Sequence, residues 1–136
     1  MNDNSPPGAA DTVLIVEGDV IVRLGIAEYL RHCGYRVIEA VSAAEAVTVL
    51  TMTPEIAVRA LLSAVEMDGP MDGFGLYRWV RANRPEVEVL LAGNVVKAAH
   101  EAGDLCEEGP HLKKPYEPEQ VVRWIKKLRN LKSSDA

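Results

Sequence analysis

Residues 58–73 have the sequence VRALLSAVEMDGPMDG, and the rest of the chain is organised around them. Its first half, beginning at Val58, is short and mostly apolar, which is typical of a β-strand buried on both faces. Its second half is a turn with two Met-Asp-Gly triplets, and apolar residues at helical spacing follow it. In a parallel α/β sheet, chemistry takes place in the loops just beyond the carboxyl ends of the strands. Residues 63–72 form such a loop here, so their side chains decide the function.

The rest of the chain repeats this strand-then-helix pattern. Asp19 and Asp72 are placed to cap the amino ends of helices, and Gly34 is placed at a left-handed helix end. The other strands are predicted at Thr12–Val16, Tyr35–Ala40, Val87–Ala92 and His111–Lys113. The helices are predicted from Val20 to Cys33, from Ser42 to about Thr51, from Asp72 to Pro85, from about Val95 to Leu105, and from Pro118 onward.

Five strands alternating with five helices predict a doubly wound α/β domain. Right-handed crossovers place helices on both faces of a parallel sheet. The flavodoxin-like strand order 2-1-3-4-5 puts strand three at the centre, with the crevice between strands one and three. The spacing in the third helix predicts that Phe74, Leu76, Tyr77 and Val80 face the core.

Composition bounds the function. The chain has 136 residues, which is enough for one domain and one core. Its net charge of −5 argues against nucleic acid as a partner, and no apolar run is long enough for a membrane helix. Residues 1–11 are predicted to be a disordered tail without export-signal features. Cys33 and Cys106 form no framework, so we expect two reduced thiols in a cytoplasmic protein.

Four short motifs lie in register across nearly the whole chain. In these motifs and their spacing, residues 12–130 resemble the receiver (CheY-like) domain of bacterial two-component response regulators, with residues 131–136 left as a C-terminal tail. The motifs are Val-Leu-Ile-Val-Glu at 13–17, Gly-Tyr-Arg-Val at 34–37, Met-Asp-Gly at 71–73 and Lys-Pro-Tyr at 114–116.

The resemblance implies a five-part phosphorylation site. An aspartate at the end of strand three accepts the phosphoryl group, and two acids after strand one help to hold Mg²⁺, which prefers oxygen ligands. A hydroxyl after strand four and a lysine after strand five bind the phosphoryl group, and the metal and the lysine neutralise its charge.

In this sequence the five positions fall on Glu17, Gly18, Ala64, Ala92 and Lys114. Slippage by one residue places a serine or a valine at the acceptor position, so neither register supplies an aspartate. Three of the five positions lack the required atoms. We therefore expect a degenerate phosphorylation pocket, in which Glu17 pairs with Lys114 because a buried lysine needs a partner.

The resulting prediction is a single-domain pseudo-receiver of phosphorelay signal transduction that is not an enzyme and acts through protein–protein contacts. No cofactor is expected, and Mg²⁺ binding should be lost or weak, with Glu17 and Glu66 as weak candidate ligands. Two alternatives remain open. One is a working receiver with a relocated acceptor, Asp68 or Asp72. The other is a flavodoxin-like module that binds a small ligand in the emptied crevice.

The last helix carries the candidate partner surface. Trp124 lies off the apolar stripe of this helix and beside basic side chains, so it is either a partner anchor or a partly buried residue of its own domain. The resemblance implies an interface around Lys113, Tyr116, Trp124 and Lys127. The expected partners are a histidine kinase or another receiver, with a homodimer possible and neither nucleic acid nor membrane involved.

Overall fold

The computed structural model describes residues 11–110 and 115–134 of the chain. The strands are β1 (Thr12–Val16), β2 (Arg36–Ala40), β3 (Val58–Ala64) and β4 (Glu88–Ala92). The helices are α1 (Val20–His32), α2 (Ala43–Met52), α3 (Gly73–Asn83), α4 (Val95–Glu108) and α5 (Pro118–Ser134). Helix α5 thus extends four residues into the segment that the sequence predicted as a tail.

The strands form one parallel sheet in the order β2-β1-β3-β4. This order confirms the predicted arrangement of the first four strands. The predicted fifth strand, His111–Lys113, lies outside the described residues, so the sheet described here has four strands and not five.

Alternation along the strands divides the core into two clusters. Val13 and Ile15 of β1 pack with α1, α4 and α5. Leu14 and Val16 point to the opposite face and pack with α2 and α3. Helices therefore cover both faces of the sheet, as predicted, and α4 shares the face of α1.

The helix ends follow the capping signals in the sequence. The Asp19 carboxylate accepts hydrogen bonds from the amides of Ile21 and Val22 at 2.9 and 3.1 Å. Gly34 has φ of 99°, the left-handed conformation expected after α1. These caps satisfy backbone groups that have no partner inside a helix.

The prediction for α3 was wrong at two positions. Leu76 and Val80 are fully buried, whereas Phe74 and Tyr77 remain 49% and 39% exposed. Residues 76 and 80 lie about one turn apart on the buried face of α3, and residues 74 and 77 are rotated away from that face. The spacing of apolar residues in the sequence predicted a band on α3 that is wider than the surface the sheet covers.

The prediction of two reduced thiols was also wrong. Cys33, the C-cap of α1, and Cys106, in α4, form a disulfide that spans 73 residues. Their Cα atoms lie 5.4 Å apart, within the range of about 4.4–6.8 Å that a disulfide needs. The pairing depends on α4 packing against α1, and nothing in the local sequence around either cysteine reports that contact.

Candidate functional site

Strands β1, β3 and β4 end side by side at one edge of the sheet. Val16 pairs in register with Ser63, and Ala64 pairs with Ala92. A crevice of about 280 Å³ opens beyond these ends. It is lined by Glu17, Asp19, Val22, Ala64, Val65, Glu66, Ala92, Gly93, Asn94, Val95 and Arg129. Three of the five predicted pocket residues, Glu17, Ala64 and Ala92, therefore lie around one cavity.

The other two predicted positions behave differently. Gly18 is exposed, and a Cβ atom added there would lie in ordinary contact, 3.6 Å from the carbonyl oxygen of Val41. Lys114 lies outside the described residues, and its pairing with Glu17 remains a prediction. Within the described part of the chain, Glu17 Oε2 accepts a hydrogen bond from the backbone amide of Asp19 at 2.8 Å.

Burial dominates the electrostatics of Glu17. Desolvation raises the pKa of its carboxyl group, because the charged form loses water on burial. The hydrogen bond from the Asp19 amide and the charges of Arg23 and Arg129 lower that pKa, and the charge of Asp19 raises it further. The net shift is upward, so this carboxylate is held in the crevice at some cost to stability at neutral pH.

Sequence reasoning missed two charged residues of this crevice. Asp19 was assigned only as a helix cap, yet it also lines the cavity, as its position two residues after Glu17 would have suggested. Arg129 reaches the crevice from α5, and its Nε atom lies 3.9 Å from Asp19 Oδ2. No local signal marked Arg129, because its place depends on how α5 packs across the domain.

The acidic side chains of the loop after β3 do not converge on one point. Glu66 lines the crevice, but Asp68 is exposed and does not line it. Asp72 caps α3, where its Oδ1 atom accepts a hydrogen bond from the Gly75 amide at 2.9 Å. Ser63 is buried, and its hydroxyl donates a hydrogen bond to the carbonyl oxygen of Ala64 at 2.8 Å.

Among the described residues, no three acidic, histidine or cysteine side chains are grouped closely enough to hold a metal ion. Glu17 and Glu66 share the crevice as predicted weak candidates, without forming such a group. Loss of Mg²⁺ binding therefore stays a prediction. In the same part of the chain, no helix is both long and apolar enough to cross a bilayer.

A second feature is a groove between α1 and α5, which we call the aromatic groove. It has a volume of about 380 Å³ and is lined by Gly25, Glu28, Tyr29, His32, Tyr116, Gln120, Val121 and Trp124. Tyr116 stacks on Tyr29 with ring centres 6.3 Å apart. Trp124 is 46% exposed and Lys127 is exposed, whereas Lys113 lies outside the described residues.

A parallel α/β sheet with helices on both faces, and a crevice at the carboxyl ends of its central strands, defines the doubly wound class of binding domains. Residues 13–126 match the family model described as the response regulator receiver domain. The chain therefore belongs to the response regulator receiver domain family of two-component systems. A comparison with curated protein sequences found no match.

Solved structures share the fold. The receiver domain of the hybrid histidine kinase CckA is 26% identical, with a TM-score of 0.53 over 70% of this chain and 97% of that one. Chemotaxis protein CheY4 from Vibrio cholerae is 23% identical, with a TM-score of 0.53 over 85% and 96%. Response regulator protein TrrA from Thermotoga maritima, solved with Mg²⁺ and BeF, is 20% identical, with a TM-score of 0.57 over 87% and 98%.

Proposed function

We propose that this chain is a pseudo-receiver, a receiver domain that is not phosphorylated and that acts through contacts with other proteins. The observation that carries the proposal is Ala64. It is the last residue of β3 and lines the crevice, at the position where the family resemblance places the phosphoacceptor. A methyl group has no lone pair with which to attack phosphorus or to bind Mg²⁺. The domain is accordingly a binding module and not an enzyme.

The neighbouring positions support the same conclusion. Ala92, beside Ala64 in the sheet, offers no hydroxyl to hold a phosphoryl group. Gly18 offers no carboxylate for a metal, although a Cβ atom at this position would meet no clash. Three separate interactions that phosphoryl transfer needs are therefore missing, and we expect no resident cofactor.

The alternative of a relocated acceptor has less support. Asp72 is engaged as the cap of α3, where its carboxylate stabilises the helix start. Asp68 is exposed and is not among the described residues that line the crevice. An acceptor at either position would stand apart from Glu17, the one acid that the family's metal site retains.

The direct test is incubation of the full chain with acetyl phosphate and Mg²⁺, followed by intact-mass measurement. We expect no phosphoryl adduct under conditions that fully label an active receiver. The relocated acceptor is tested in the same assay with Asp68→Asn and Asp72→Asn. Asparagine caps helices about as well as aspartate, so Asp72→Asn removes the nucleophile and keeps the cap.

A stoichiometric, acid-labile adduct on the natural chain would refute the pseudo-receiver. If Asp68→Asn or Asp72→Asn then abolished that adduct, the alternative would replace it. The assay needs no partner protein, so it tests the loss of phosphorylation separately from the proposed binding role.

Partner contact is proposed for the aromatic groove and its surroundings. Tyr116 and Trp124 are 45% and 46% exposed, and exposed aromatic side chains often anchor protein interfaces. The expected partner is a histidine kinase or another receiver in the cytoplasm, and a second copy of the chain is possible. The acidic net charge of −5 argues against nucleic acid.

A matched pair of variants tests this surface. Trp124→Ala and Phe74→Ala each truncate one aromatic side chain, exposed by 46% and 49% respectively. We expect purified kinase or receiver proteins of the source organism to bind the natural chain and Phe74→Ala equally, and Trp124→Ala at least about tenfold more weakly. Equal binding by both variants would exclude Trp124 as the anchor.

A further inference from the structure

The chain's two cysteines join α1 to α4 by a covalent link. Cys33 follows the last residue of α1, and Cys106 lies near the carboxyl end of α4. Both residues are buried, with exposures of 0% and 1%. Because the link spans 73 residues, it constrains two elements that the chain brings together only on folding.

The remaining contacts of α4 are made largely by small side chains. Ala98, Ala99 and Ala102 form most of its buried face, together with Leu105. An alanine buries less apolar area than a larger residue and therefore contributes less to docking. Polar contacts add to this packing: the Tyr35 hydroxyl donates to the carbonyl oxygen of Leu105 at 2.6 Å, and Arg59 of β3 pairs with the largely exposed Glu108 at 3.2 Å. Helix α4 thus depends on the cross-link more than a helix with large core residues would.

Helix α5 is seated on α4 as well as on α1. A Cβ atom added at Gly103 of α4 would lie 2.7 Å from the ring of Pro118, the first residue of α5. Val121 and Ile125 of α5 are buried in the cluster that also contains α4. Helix α4 therefore supports α5, and α5 forms one side of the aromatic groove.

We propose that the Cys33–Cys106 disulfide is a redox-reversible tether that keeps α4 docked on α1. In the oxidised chain α4 supports α5, and the aromatic groove is formed. In the reduced chain α4 detaches more readily, and α5 then loses part of the surface on which it packs. The inference draws on the proposed cytoplasmic location and partner surface, since cytoplasmic dithiols reduce disulfides, and it does not depend on the loss of phosphorylation.

The exchange consumes one dithiol reductant of the thioredoxin class. A reductant thiolate attacks one sulfur, the Cys33–Cys106 bond breaks, and the displaced cysteine leaves as a thiolate that takes up a proton. The second reductant thiol then resolves the mixed disulfide, so two electrons reach the cysteines and the reductant becomes a disulfide. Because both cysteines are buried, attack requires local opening, and the reduction rate should level off as dithiol concentration rises.

Hydrogen exchange of the full chain, with and without dithiothreitol, tests the tether. A cross-link that acted only on the unfolded chain would accelerate all globally protected amides by one common factor on reduction. Release of α4 predicts instead that amides of α4 accelerate at least about tenfold more than those of β1 and β3. The double variant Cys33→Ala/Cys106→Ala should show the reduced pattern with and without dithiothreitol.

Three results would overturn the proposal. They are two free thiols in the chain after oxidation by glutathione disulfide, unchanged protection of α4 on reduction, and equal acceleration in α4 and the central strands. Acetyl phosphate labelling of both redox forms keeps this outcome separate from that of the proposed function, because neither result determines the other.

Discussion

Gly73, the last residue of the second Met-Asp-Gly triplet, is a position where one added carbon atom should destabilise the fold strongly. It begins α3, and its amide donates a hydrogen bond to the carbonyl oxygen of Val65 at 2.8 Å. A Cβ atom added there would collide with the carbonyl oxygen of Ala64. It would also lie 2.9 Å from Val65 Cα and 3.0 Å from Val65 O. All three are backbone atoms at the end of β3 and in the loop that follows it, next to the crevice.

The expected effect follows from what must move. Overpacking against side chains destabilises a protein by about 1–3 kcal/mol, and here no side chain can rotate away. We therefore expect Gly73→Ala to lower the free energy of unfolding by about 3 kcal/mol or more. For a domain of this size, that loss lowers the Tm by about 10 °C. Urea denaturation followed by circular dichroism measures the free energy directly.

Gly75 provides the matched control, because it lies in the same first turn. A Cβ atom added at Gly75 would lie 2.8 Å from Met71 Cγ, which belongs to a flexible and only partly buried side chain. Alanine also favours helix by up to about 1 kcal/mol at either position. Gly75→Ala should therefore change stability by less than about 1 kcal/mol. If Gly73→Ala were as stable as Gly75→Ala, the described approach of α3 to the loop would be incorrect.

Three further predictions concern the crevice. Burial raises the pKa of the Glu17 carboxyl group, so the folded chain binds that proton more tightly and gains stability as pH falls through the raised pKa toward 4.5. Glu17→Gln should accordingly raise the Tm at pH 7, with a gain that shrinks across that range; a gain independent of pH would contradict the burial argument. Millimolar Mg²⁺ should leave the Tm unchanged, since only a ligand that binds the folded state raises it, and a clear increase would reveal a rebuilt site. Asp19→Ala should destabilise the chain by about 1 kcal/mol in urea denaturation, whereas Asp19→Asn should not, and equal losses would argue against the cap.

Much of the fold was predictable because its signals are local. The short apolar run at Thr12–Val16 and the capping residues Asp19 and Asp72 act on neighbours within a turn or a strand. Each of these signals predicts the same local structure whatever the sequence of the rest of the chain. Four strands, five helices and the order of the first four strands were therefore predicted correctly.

The site was predictable in part. The positions of Glu17, Ala64 and Ala92 follow from strand ends, and parallel strands that end together place these residues around one crevice. Arg129 belongs to the same crevice but could not be foreseen, because it arrives from a helix more than a hundred residues later in the chain. Its approach to Asp19 depends on the packing angle of α5.

The sequence alone determined the types and the order of these elements, since propensity, caps and periodicity act between residues close in the chain. Three features became visible only in the folded chain: α4 lies beside α1, Cys33 is bonded to Cys106, and Phe74 remains exposed to water. Those outcomes depend on which surfaces meet across distances of many residues. The sequence shows that an apolar or sulfur-bearing side chain can be buried. Which residue it contacts depends on how the whole chain packs.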